Sequence, residues 1–149
     1  MNVVTGARPR AITVAVVMLS IVVLYGFAAK VALLADGHVA QSVPQGLTNP
    51  TFVIYAVLIG ALINSALRAL FIYKIFNRRN WARIIYLLFF ILGVLLAIRN
   101  YIRLFFHPTE LNYPVAVGYL GLACILVELA ALTLLFFGPG NLWFKRSLA

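Results

Sequence analysis

Two residues of opposite charge, Arg68 and Glu128, lie inside long apolar segments of the sequence. Arg68 falls within "FVIYAVLIGALINSALRALFIY", residues 52 to 73, and Glu128 within "PVAVGYLGLACILVELAALTLLFF", residues 114 to 137. An isolated charge in apolar surroundings is costly, and a partner of opposite charge offsets part of that cost. Counted from the ends of their segments, the two residues differ in depth by roughly 5 Å, which long side chains can bridge. We therefore expect an Arg68–Glu128 ion pair, with Asn64 one helical turn before Arg68.

The segments that carry these residues are typical of a membrane protein. The chain has 149 residues, a mean hydropathy of +1.05 and only 10% charged residues, against roughly 25% in soluble domains. Several apolar runs exceed the ~18 residues that cross a hydrocarbon core of ~30 Å. The sequence predicts an all-α integral membrane four-helix bundle, one domain over residues 1–149 with spans at about 11–35, 52–75, 81–106 and 114–137.

The third span needs charged residues to reach its full length. Its uncharged part, Ile84 to Ile98, has 15 residues and rises only ~22 Å as a helix. We therefore expect the helix to continue through Arg99 and Arg103 to residue 106, where a His-Pro pair ends it.

Basic residues predict the orientation, because Lys and Arg in short loops favour the cytoplasm. With the N-terminus inside, eight basic residues are cytoplasmic and three are not, so we expect an N-in/C-in bundle. The cytoplasmic residues are Arg8, Arg10, Lys74, Arg78, Arg79, Arg83, Lys145 and Arg146. The other three are Lys30, Arg99 and Arg103, while Arg68 lies within the second span.

The segment "FNRRNWAR", residues 76 to 83, is then the cytoplasmic turn between the second and third spans. Arg78, Arg79 and Arg83 form a basic rim that faces lipid phosphates in this prediction, and Trp81 is an interfacial anchor. Topology alone explains this rim, or it binds cardiolipin or an acidic segment of a partner.

The opposite face carries a second basic set, Lys30, Arg99 and Arg103. These side chains either extend to the interface or bind an anionic lipid headgroup or an acidic partner. Asp36, His38, His107 and Glu110 share this face and include ordinary zinc ligands. Their spacing fits no ligand motif and the arginines repel cations, so we expect no metal site.

Small residues predict how the second and fourth spans pack. Ala56, Gly60, Asn64 and Arg68 recur every four residues, with Ala61 and Ser65 beside them. The fourth span presents Gly121, Cys124, Glu128 and Ala131 on one side. Small residues let helix backbones approach closely in membranes, so we expect these two faces to meet in the core.

Two segments resemble a known group of proteins. "IYKIFNRRNWARIIYLLFFILGV" and "ELAALTLLFFGPGNLWFKRSL" are similar to the central turn and the C-terminus of small uncharacterised bacterial inner-membrane proteins with four transmembrane helices. Their shared features are an Asn-Trp-Ala-Arg turn and a Leu-Leu-Phe helix end followed by Trp-Phe and a basic residue. The resemblance covers about the last half of the chain. It implies architecture and a bacterial inner-membrane location, and it supplies no activity.

These observations favour an accessory or interaction role: binding a larger membrane protein, a second copy of the chain, or anionic membrane lipid. No nucleic acid or cofactor is expected. The alternative is an oligomeric transporter or channel with Arg68 and Glu128 in its path, since intramembrane charges mark such paths. A solidly packed interior with Arg68 and Glu128 paired would favour the first, and a water-filled cavity that reaches them the second. An enzyme acting on lipid is the third alternative. An enzyme is not expected, because no Ser/His/acid set lies at a shared depth, no glycine-rich phosphate loop is present and Cys124 has no basic neighbour.

Overall fold

Four long helices make up most of the protein in a computed structural model. The model describes residues 9–37, 49–111, 113–137, 141 and 143–144, with the side chains of residues 50 and 110 excepted. The helices are α1 (Arg10–Ala35), α2 (Pro50–Phe76), α3 (Asn80–Phe106) and α4 (Val115–Phe136). Within this described part there is no strand, and a short 3-10 turn (Pro108–Glu110) joins α3 to α4. The all-α prediction is confirmed, and each helix begins and ends within two residues of its predicted span.

All four helices are long and apolar enough to cross a membrane. This is the composition expected of a small multi-pass membrane protein. The orientation of the termini stays a prediction, as do Arg8, His38, Lys145 and Arg146, which lie outside the described residues.

Local chemistry fixes the helix ends. At the end of α1, Gly37 adopts a left-handed conformation, with φ +73°, that suits glycine. Asn49 precedes α2, and its side-chain oxygen accepts a hydrogen bond from the Thr51 backbone N–H at 3.0 Å. The third helix runs through both arginines to Phe106, as predicted, and ends before His107.

The helices form a closed ring. The pairs in extensive contact are α1–α4, α1–α2, α2–α3 and α3–α4, so α2 and α4 lie across the bundle from one another. We call the end formed by Arg10, Phe76, Asn80 and Phe136 the turn end, and the opposite end the open end. The predicted direct packing of α2 against α4 is wrong: Ala56 and Gly60 are exposed, and Gly60 has open space around it.

The buried core lies in the half of the bundle nearest the turn end. Fully buried Tyr86 is among its largest side chains. The core cluster consists of Ile12, Ala15, Leu19, Phe71, Ile72, Ile75, Ala82, Tyr86, Phe90, Ala131, Leu132, Leu135 and Phe144. Among the described residues, fewer side chains are fully buried in the half towards the open end, and the cavity described below lies in that half.

Candidate functional site

The ion pair between Arg68 and Glu128 crosses the bundle from α2 to α4. The Arg68 Nη1 atom lies 2.6 Å from Glu128 Oε1, and the two side chains are 17% and 5% exposed. Each residue lies eight positions before the last residue of its helix, so both are ~12 Å from the turn end. The structure therefore brings together the two residues that the sequence predicted would pair.

Tyr86 on α3 lies against this pair. The Arg68 guanidinium carbon is 5.8 Å from the centre of the Tyr86 ring. Within the described part of the chain, the buried Arg68 Nε atom and the Tyr86 hydroxyl have no hydrogen-bond partner. Only one of the guanidinium nitrogens, Nη1, is thus committed to the carboxylate.

A cavity of about 360 Å³ begins at the ion pair and extends towards the open end. All four helices contribute to its walls, which are largely apolar. Its charged residues are Lys30, Arg68 and Glu128. Its other polar residues are Tyr25, Asn64, Ser65, Tyr101 and Cys124. Of the α2 face predicted to pack on α4, only Asn64, Ser65 and Arg68 line this cavity.

Glycines on three helices leave this space open. Gly26, Gly93 and Gly121 all line the cavity. A Cβ atom added at Gly26 would meet no atom of the described residues within 4 Å. One at Gly93 would lie 3.5 Å from Arg68 Nη2, so the guanidinium group rests against this bare helix surface. These three glycines were the signal for the cavity in the sequence. Pairing charged residues by depth takes no account of glycines, so the cavity was not predicted.

Arg83 in the basic turn is buried rather than facing lipid. Its side chain is 7% exposed. Its Nη1 donates to the Leu135 carbonyl at 3.0 Å and its Nη2 to Asn141 Oδ1 at 3.1 Å. The guanidinium carbon also lies 4.9 and 4.7 Å from the rings of Phe136 and Phe144. The prediction that this arginine faces lipid phosphates is wrong. The last carbonyl groups of α4 have no donor within the helix, and Arg83 donates to one of them.

Arg78 binds the same C-terminal segment. Its Nε donates to the Trp143 carbonyl at 2.9 Å, and its guanidinium carbon is 5.2 Å from the Trp143 ring. Arg79 and Trp81 remain exposed, as the predicted interfacial rim requires. Trp81 also makes an edge-on contact with Phe71, with 6.3 Å between ring centres. The turn therefore joins α2, α3 and the chain after α4.

The second basic set does not form one site. Lys30 lines the cavity, whereas Arg99 and Arg103 do not. Ala97 is the last cavity-lining residue before Arg99, which lies about 200° further round the helix. Arg99 is exposed and Arg103 partly so. Lys30 is exposed as well, so its position on the cavity wall with Arg68 and Glu128, and not its burial, separates it from the two arginines.

No group of three His, Cys, Asp or Glu side chains that could hold a metal ion occurs among the described residues. Of the four residues considered from the sequence, His38 and the side chain of Glu110 lie outside that part.

No protein-family model, curated protein or solved structure matches the chain. Its function has to be argued from the cavity and the charges that line it.

Proposed function

We propose that this chain is a membrane-embedded binding protein of the transport class, which takes a small molecule into the cavity between its helices. The observation that carries the proposal is that the cavity reaches the Arg68–Glu128 pair. Ligand sites are concave, mostly apolar and ~300 to 1,000 Å³ in volume, with few polar groups that orient the ligand. The cavity has these properties.

The packing supports access from one end only. Ile12, Ala15, Leu19, Ile75 and Leu135 are all fully buried between the pair and the turn end. Among the described residues of the open half, fewer side chains are fully buried, Leu104 and Ala61 among them. We propose that the protein lies in a bacterial inner membrane with its turn end in the cytoplasm, so that the cavity opens outward. The charge bias supports this orientation.

The accessory role stays a prediction, as do self-association and lipid binding by the basic rim. A protein that acts only through docking surfaces on its outside does not require a cavity lined by charged residues. That is why binding inside the bundle is the stronger proposal.

The sole cysteine of the chain provides the test, because Cys124 lines the cavity. A membrane-impermeant thiol reagent added to intact cells is expected to label Cys124 from the outside. Gly26→Leu should fill the cavity and slow labelling by about tenfold or more, an effect of at least ~1.4 kcal/mol on access. Gly60→Leu is the matched control, since it is the same change at an exposed position with open space around it.

The outcomes separate the two parts of the proposal. Labelling only in inside-out vesicles would contradict the orientation and leave the cavity standing. Absence of labelling from both sides, or equal slowing by the control variant, would contradict the cavity itself.

A further inference from the structure

The charges in the cavity do not balance. Lys30 and Arg68 are two cations, and Glu128 is the single carboxylate among the lining residues. Glu128 is already bound to Arg68. Within the described part of the chain, no acidic side chain pairs with Lys30. Lys30 is exposed rather than buried, and an anion brought by a ligand would offset the part of its charge that faces the largely apolar cavity.

The two cations face the same space. Helical side chains lean towards the N-terminus of their helix. On α1 this direction carries Lys30 from the open end down towards the ion pair. The second helix runs the opposite way, so the same rule carries Arg68 up towards the open end. Because Arg68 uses only Nη1 for Glu128, its Nη2 against Gly93 remains able to donate.

We propose that the cavity binds an organic monoanion with an apolar body, whose charged group lies between Lys30 and Arg68. The apolar body would pack against Val22, Val94 and Ile125 on three different helices. A volume of about 360 Å³ corresponds to roughly a dozen waters at ~30 Å³ each. A medium-chain carboxylate such as decanoate is of this size. This inference rests on the proposed function and names its ligand class.

Charge selectivity at Cys124 gives the first test. Two methanethiosulfonate reagents, one carrying a sulfonate and one a trimethylammonium group, are applied to the full-length protein in phosphatidylcholine nanodiscs. Each rate is divided by the rate of the same reagent with a small thiol in solution. The sulfonate reagent should be favoured. Lys30→Gln should lower the ratio by about a hundredfold, because one unit charge at ~10 Å with an effective dielectric constant of ~20 slows the sulfonate reagent and accelerates the cationic one by about tenfold each when it is removed.

Two variants control for this substitution. Arg99→Gln removes one positive charge from the same half of the bundle, at a residue that does not line the cavity, and should leave the ratio unchanged. Lys30→Arg keeps the charge and should preserve the preference. Equal ratios in wild type and Lys30→Gln, or an equal loss in Arg99→Gln, would overturn the inference.

Protection gives the second test. Decanoate should slow labelling of Cys124 by a neutral methanethiosulfonate reagent, while decanol and decyltrimethylammonium should not. Nanodiscs with added phosphatidylglycerol test whether the anionic group belongs to a membrane lipid instead. Protection by decanoate or by phosphatidylglycerol, lost in Lys30→Gln, supports the anion and identifies its source. Protection by neither, or equally by decanol, overturns it.

The two proposals can fail separately. Rapid labelling that Gly26→Leu blocks, without charge preference or protection, would leave the binding cavity standing and refute its anion selectivity. If no reagent labelled Cys124, both proposals would fail.

Discussion

The Arg68–Glu128 ion pair should make the protein sensitive to the loss of either partner alone. Arg68→Leu leaves the Glu128 carboxylate, 5% exposed, without the contact at 2.6 Å. Removing one partner of a buried pair typically costs about 3 to 5 kcal/mol, because the other charge stays desolvated. We expect a loss near the lower end of that range, since the cavity beside the pair allows the carboxylate some solvation.

The double variant should be far less damaged. Replacing both members of a buried pair with apolar residues is often neutral. Here the leucines border a cavity and pack incompletely, so we expect Arg68→Leu/Glu128→Leu to lose less than about 2 kcal/mol. With about 3 kcal/mol lost in each single variant and less than about 2 kcal/mol in the double variant, the coupling free energy should be about 4 kcal/mol, above the usual range for residues in contact.

The assay is reversible unfolding of the purified protein in mixed micelles with increasing SDS. Intrinsic tryptophan fluorescence reports the transition, because both tryptophans, Trp81 and Trp143, lie at the turn end. The four proteins of the cycle are compared under one condition. If the double variant is as damaged as the sum of the two single variants, the residues do not interact and the reasoning about the site is refuted.

Arg83→Gln should cost about 2 to 4 kcal/mol, because a buried donor to the end of α4 is lost, whereas exposed Arg79→Gln should stay within ~0.5 kcal/mol in the same unfolding assay. Arg78 has φ 63°, which is in the left-handed region that favours glycine. Arg78→Gly and Arg78→Ala lose the same hydrogen bond, so the glycine variant should be more stable by about 1 kcal/mol. Equal stability of the two variants would contradict a left-handed residue at this position. Gly118→Ala places a Cβ 2.7 Å from a buried leucine methyl group and should lower the free energy of unfolding by about 1 kcal/mol. Gly60→Ala, at a position with open space, should raise it by a few tenths of a kcal/mol or more. A Gly118→Ala variant that is more stable than the wild type would show that the contact relaxes freely.

The four spans and the ion pair were predictable from the sequence, because each depends only on the positions of residues along the chain. Helix length follows from the apolar runs, and the third helix had to include Arg99 and Arg103 to be long enough. Arg68 and Glu128 were matched by depth alone, which decides whether long side chains can meet.

The cavity and the role of the turn depend on three-dimensional packing. The ring order separates α2 from α4, so the small residue Gly60 faces outward instead of into the core. Arg83 is buried because the chain folds back after α4 and brings Asn141 and Phe144 to it. Nothing in the spacing of "FNRRNWAR" distinguishes that arginine from exposed Arg79.

The ion pair also has a mechanical consequence. The extensive contacts in this ring of four helices are all between neighbours, and the angles between the helices can change while such contacts are kept. The Arg68–Glu128 ion pair links α2 and α4 across the ring and opposes such changes in angle. The pair lies between the well-packed half of the bundle and the cavity. These two side chains therefore limit the width of the cavity at the end nearest the core.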